Sequence, residues 1–124
     1  MHEVSLAMGI IECLNALIKN QQMRSIEKVT VQIGELSNVM PEALLFAFEA
    51  MLQSQSINGL KNCQMTIQRV SAKAVCRQCH QTSAITHERK RCLYCKGNDL
   101  EIISGYELQI SEVEGEEGDA RDTY

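Results

Sequence analysis

The sequence predicts an α+β fold, two helices on a three-stranded sheet, with a four-cysteine loop inserted before the last strand. Three observations carry this. Two stretches repeat apolar residues at helical spacing, three alternate with period two, and four cysteines in two close pairs interrupt the series. At 124 residues the chain has room for one small domain and an appendage, and too little for two independent cores.

The first helix is expected just after Glu3, where Ala7, Ile10, Ile11, Leu14, Leu17 and Ile18 form one apolar stripe ending near Asn20. Cys13 falls near that stripe and is expected to be an inert buried thiol. From Ile26 to Leu36 the pattern alternates, with Val29, Val31 and Ile33 on one face and Thr30 and Gln32 on the other, which predicts a strand. Pro41 suits the first turn of a second helix, whose buried face would hold Leu44, Leu45, Phe48, Met51 and Leu52. Asn58-Gly59 marks a turn, and Met65, Ile67 and Val70 suggest another strand starting near Cys63. In the last strand Tyr106, Leu108 and Ile110 share one face and Glu107, Gln109 and Ser111 the other. The expected organisation is therefore an α/β core of residues 1–70 plus 101–113, an insert of residues 71–100, and an acidic tail, 114–124, expected to be disordered because it has almost nothing to bury.

Composition is that of an ordinary globular protein, 44% hydrophobic and 23% charged, but aromatics are scarce at 4%. Aliphatic side chains must build the core, and the six Met residues read as packing. The longest nearly apolar stretch, Ala43 to Leu52, is broken by Glu49 and is too short for a bilayer. The opening Met-His-Glu has neither a basic region nor a small-residue cleavage site, so a cytoplasmic protein without membrane contact is expected. The net charge of −4 is unevenly spread: Glu112–Tyr124 holds six acids against one Arg, whereas Ser71–Leu100 holds six Lys or Arg against two acids.

Cys76-x-x-Cys79 and Cys92-x-x-Cys95 are separated by twelve residues. A two-residue gap lets both sulfurs of a knuckle reach one ion at about 2.3 Å, and two knuckles complete a tetrahedral four-sulfur set. Soft thiolates in that arrangement select Zn²⁺ or iron, and with only Tyr94 nearby to shield an iron, zinc is expected. The polar stretch Arg77–Arg91 would draw its order from the metal. A closed four-thiolate site leaves no open position, so it is structural. Arg89, Lys90 and Arg91 raise a rival reading, a zinc ribbon on nucleic acid, but the segment has one Tyr for base stacking and the whole chain is acidic. Cations that offset the −2 charge of a tetrathiolate zinc are the simpler account.

The N-terminus offers a second set of donors. The α-amine of Met1, the His2 amide nitrogen and the His2 imidazole can close adjacent chelate rings, and Glu3 can add a carboxylate oxygen. Nitrogen and oxygen donors in a near-planar array suit Ni²⁺ or Cu²⁺. Met1 is expected to be retained, because aminopeptidases generally spare Met before a large residue. Glu35, and the loop histidines His80 and His87, could assist a metal, but exposed loop side chains are the favoured reading for each. No nucleophile–base pair and no phosphate loop stands out, which argues against an enzyme.

Met1-His2-Glu3 followed by Ser5, the strand end Ile33-Gly34-Glu35-Leu36-Ser37, the helix segment Phe46-Ala47-Phe48-Glu49, and two CxxC knuckles before a closing strand resemble the HypA/HybF family. The resemblance covers about residues 1–114. It implies a nickel metallochaperone that matures [NiFe]-hydrogenases, working with a HypB-type GTPase and delivering Ni(II) to the hydrogenase large-subunit precursor. In some organisms the family also serves urease. The implied nickel ligands are His2 with the backbone nitrogens of the first residues, Met1 included, and Glu3. The implied ligands of the structural Zn(II) are Cys76, Cys79, Cys92 and Cys95. Homodimerisation is left open by the sequence, and the acidic tail departs from the family pattern.

Overall fold

The computed structural model describes residues 2–55 and 57–118, arranged as α1 (His2–Lys19), β1 (Met23–Gly34), α2 (Pro41–Ser54), β2 (Gln64–Val70), β3 (Lys73–Cys76), β4 (Thr82–Ala84), β5 (Leu100–Ser104) and β6 (Leu108–Glu117). Two helices and two three-stranded sheets result, with strand orders β2-β1-β6 and β4-β3-β5. The chain divides into two compact units, Met1–Val31 with Val39–Ile67 and Ile110–Tyr124, and Gln32–Asn38 with Gln68–Gln109.

In the first unit α1 buries Ala7, Ile10, Ile11 and Leu14, the inward arc that the i, i+3, i+4, i+7 spacing predicts. Cys13 corrects the expectation made for it. It is exposed, because a one-residue step from Leu14 turns about 100° around the helix and off that arc. On β1 the expected face, Val29 and Val31, is buried, but Ile26 is buried too. Three residues separate Ile26 from Val29, so the alternation slips one place across the exposed Glu27 and Lys28. Pro41 occupies the first turn of α2, where its missing N–H costs nothing, and Leu44, Ala47 and Phe48 form the buried face. Leu45, Met51 and Leu52 are only half-buried. Among the described methionines none is fully buried, so packing by Met is partial at best; Met8 and Met40 are 48% and 63% exposed. Gly59, in the turn expected at Asn58-Gly59, takes φ +91°, and an added Cβ would lie 2.7 Å from Ile18 Cδ1.

The first sheet is mixed. Gln32 meets Gln68, and Glu35 N–H donates to Val70 O, so β1 and β2 advance together, as the α2 crossover allows. Arg24 pairs with Glu116 and Ser111 with Thr30, so β6 runs the opposite way to β1. β6 reaches Glu117, taking in residues 114–117 of the acidic segment expected to be disordered. A strand needs a backbone partner rather than apolar side chains, and β1 supplies one; the Gly118 N–H still donates to Gln22 O. Residues 119–124 lie outside the described residues.

The second unit has its own sheet, which the sequence analysis treated as a loop. β3 pairs antiparallel with β4 and with β5. Its core is small: Leu36, Ala72, Ala74 and Ile85, with Leu100 and Ile102 against them. Two of those four side chains are alanines, so apolar burial alone stabilises this unit weakly.

Two phenylalanines two residues apart, and so on opposite faces of α2, test the burial assignments. Phe48 is 0% exposed and Phe46 is 75% exposed. Phe48→Ala is expected to lower the urea unfolding free energy by about 3–5 kcal/mol. Phe46→Ala should stay within about 0.5 kcal/mol of the parent. Equal losses would show that the face of α2 is assigned wrongly.

Candidate metal centres

Cys76 ends β3, Cys79 follows in the turn to β4, and Cys92 and Cys95 lie in the segment between β4 and β5. Their four Sγ atoms all lie within 4.8 Å of one another. Cys76 and Cys95 approach to 3.6 Å and Cys79 and Cys92 to 3.5 Å. A tetrahedron of sulfurs about 2.3 Å from a zinc ion has edges of about 3.8 Å, so these separations fit one shared cation.

The two knuckles repeat one backbone conformation. Cys76 N–H donates to Gln81 O at 2.9 Å and Cys92 N–H to Gly97 O at 2.8 Å. His80 N–H donates to Cys76 O and Lys96 N–H to Cys92 O, each closing a turn over its CxxC. His80 and Lys96, each directly after the second cysteine, adopt φ of 63° and 66°, the left-handed conformation that ends such a turn. His80 is therefore held by its backbone role; its side chain and that of His87 are exposed, and neither joins the sulfur cluster.

Backbone N–H groups aim at the first sulfur of each pair. Tyr94 and Cys95 donate to Cys92 Sγ, both at 3.4 Å. The Cys95 and Tyr94 amides pull the Cys92 thiol down to about 6 against its desolvation, helped by Cys79 and Ser83. The amides of Cys79 and Gln78 likewise lower Cys76. At Cys79 the Gln81 amide lowers the pKa, but desolvation and the neighbouring thiols outweigh it and push the group up to about 12. At Cys95 the Gly97 amide is outweighed in the same way by Cys76, desolvation and Cys92. Four thiolates this close repel one another, and a divalent cation is what permits all four to ionise. The set fits a structural zinc site.

Ser83 is the residue that sequence reasoning missed. It is buried on β4, accepts the Leu93 N–H at 3.1 Å and reaches Cys92 Sγ at 3.9 Å, tying the second knuckle to the sheet. One Ser in a three-residue strand carries no sequence signal. Beside the knuckle, Arg89, Lys90, Arg91 and Lys96 line a cleft of about 440 Å³ with Glu88.

The other expected site begins α1. Met1 lies outside the described residues. His2 is exposed and is already helical, and Glu3 follows in the first turn. The first N–H groups of any α-helix have no intrahelical acceptor, and that of Glu3 turns to its own carboxylate. Glu3 Oε2 accepts the N–H of Met40, the N-cap residue of α2, at 3.2 Å. That bond, then Glu3's own amide, holds its carboxyl below the ordinary carboxylate range despite desolvation, with His2 and the N-terminal amine adding to the effect. Glu35 is exposed in the turn after β1.

Comparison with known proteins decides the family. Residues 1–115 match the family model described as "Hydrogenase/urease nickel incorporation, metallochaperone, hypA". The chain belongs to the HypA family. It is 33% identical over 116 residues to the hydrogenase maturation factor HypA of Geotalea uraniireducens, covering 94% of this chain and all of that one. It is 32% identical over 117 residues to that of Crocosphaera subtropica, covering 94% and 97%. The solution structure of the Ni metallochaperone HypA from Helicobacter pylori superposes with a TM-score of 0.64 at 22% identity, over 94% of this chain and 98% of that one. A second HypA solution structure gives 0.66 at 24% identity, over 97% and 98%. At those identities the solved structures support the HypA fold alone. HypA proteins are maturation factors and metallochaperones, so the chain is not an enzyme. Among the described residues no helix is long and apolar enough to cross a membrane.

Removing one knuckle sulfur tests the four-sulfur set. Zinc analysis of Cys92→Ser should show less than one equivalent, and amide exchange should accelerate through β3, β4 and β5 while α1 and α2 keep their protection. Full zinc retention, or equal loss of protection in both helices, would contradict the assignment.

Proposed function

We propose that this chain is a nickel metallochaperone of hydrogenase maturation that takes up Ni²⁺ at its N-terminus and keeps a separate structural zinc. The family description supports the role. The observation that supports the nickel site is that α1 opens at His2, whose exposed imidazole stands beside first-turn amides without helical acceptors. Met1 through its amine, His2 through amide and imidazole nitrogen, and Glu3 through its carboxylate form the cargo site. Cys76, Cys79, Cys92 and Cys95 hold the zinc. In this reading the labour divides between the first unit, which carries α1, for nickel and the second unit, which carries the four cysteines, for zinc.

Delivery follows from the donor chemistry. A terminal chelate is firm enough to select Ni²⁺ and open enough to release it, because protonation of amine or imidazole loosens it. An open coordination position lets a recipient's ligand bind before His2 leaves. In this reading the Met40 N–H, which donates to Glu3 Oε2, steadies the carboxylate that joins the donor set. The partners in this reading are a HypB-type GTPase and the [NiFe]-hydrogenase large-subunit precursor, met in the cytoplasm, with urease as a further recipient.

Titrating Ni²⁺ into untagged, zinc-loaded protein, by heat and visible absorption, tests the reading. The parent should show a stoichiometric site that His2→Ala loses while its zinc is retained. Equal binding by both proteins, or none by either, would remove nickel from His2.

A further inference from the structure

The first unit carries a furrow between its helices that shares only Glu3 with the proposed metal sites. α1 packs against α2, and the lining residues advance together: Val4 sits with Ala43 and Ala47, and Ile11 and Glu12 with Met51 and Gln55. The helices therefore run parallel, with a hollow of about 390 Å³ at one end and one of about 70 Å³ at the other, Met51 lining both. From Glu3 to Glu12 the furrow is about 14 Å long, two and a half turns of a helix. Its walls are apolar, and Phe46 on one side is 75% exposed while Met8 on the other is 48% exposed.

Charge decides the occupant. Glu3 and Glu12 line the furrow, Glu42 and Glu49 are exposed on α2, α2 contains no Lys or Arg, and Lys19 is the sole Lys or Arg of α1. A second copy docking through the same face would set glutamates against glutamates, which costs affinity. The basic cleft beside the zinc knuckle is a turn-rich loop and offers no apolar helical stripe. We propose that the furrow between α1 and α2 receives an amphipathic helix of a partner protein, with one apolar stripe of about three turns flanked by Lys or Arg. The apolar stripe fills the hollows at Met51 and beside Phe46, and the flanking cations meet the glutamates. The docking surface stands on the furrow alone; only its place beside the cargo site, through Glu3, rests on the proposed nickel reading.

The test uses the full, zinc-loaded chain and a synthetic helix of about fourteen residues with Leu at i, i+3, i+4 and i+7 and flanking Lys, beside a twin with Glu for every Lys. Amide shifts in NMR should map to Val4, Ala43, Phe46, Ala50 and Met51, and the Glu twin should bind about tenfold more weakly. Phe46→Ala should weaken the Lys peptide about fivefold while binding Ni²⁺ as the parent does, so failure of docking and failure of the nickel site are read separately. Glu12→Lys, also exposed, should weaken the Lys peptide and strengthen its twin. Equal binding of the two peptides, shifts mapping outside the helices, or the same shifts appearing on concentrating the protein without peptide would overturn the proposal.

Discussion

An α-helix leaves its first N–H groups without internal acceptors, and the chemistry of the first unit is arranged around that constraint. α1 begins at His2, so the amides without helical acceptors fall on the residues that also carry an imidazole and a carboxylate. The Glu3 carboxylate does not simply cap its own helix. It accepts the Met40 N–H at the start of α2, so two helix N-termini are drawn to one acid. The stripe Ala7, Ile10, Ile11 and Leu14 then anchors α1 by burial, giving a first turn that is held and a His2 that stays exposed. On the proposed reading, uptake and release of Ni²⁺ use that combination.

The second unit answers the opposite requirement. Its cysteines are drawn inward, and Cys76 and Cys92 are buried. Each knuckle aims two amides at the first sulfur of its pair, which favours a thiolate there, and one at the second, where desolvation and the neighbouring thiols outweigh it. The ordering energy of such a site goes into folding a unit whose buried apolar core is small, with alanine at two of its four positions. On the proposed reading, sulfur in a closed set and nitrogen with oxygen in an open one would also separate the metals by softness.

Much of this was legible in the sequence because it was periodic. The stripe of α1, the Val29 and Val31 face, Pro41 at the start of α2 and the four cysteines each follow from spacing. Where spacing misled, a tertiary partner decided. Cys13 sits one residue from a buried leucine and is nevertheless exposed, since neighbours in sequence lie about 100° apart on a helix. The slip between Ile26 and Val29 breaks strict alternation within one strand. β6 runs on through acidic residues because β1 satisfies its backbone, a contact no single segment announces. The strands of the second unit are three to five residues long, too short for a period to be read. The left-handed turns at His80 and Lys96 fall on residues other than glycine, so no glycine announces them in the sequence.

The division of donors between the two metals is the central claim, and X-ray absorption at both metal edges of the nickel- and zinc-loaded protein tests it most directly. Nickel should show nitrogen and oxygen neighbours with imidazole scattering and no sulfur, while zinc shows four sulfurs at about 2.3 Å. Sulfur in the nickel shell, or nitrogen replacing sulfur around zinc once nickel is bound, would contradict the account.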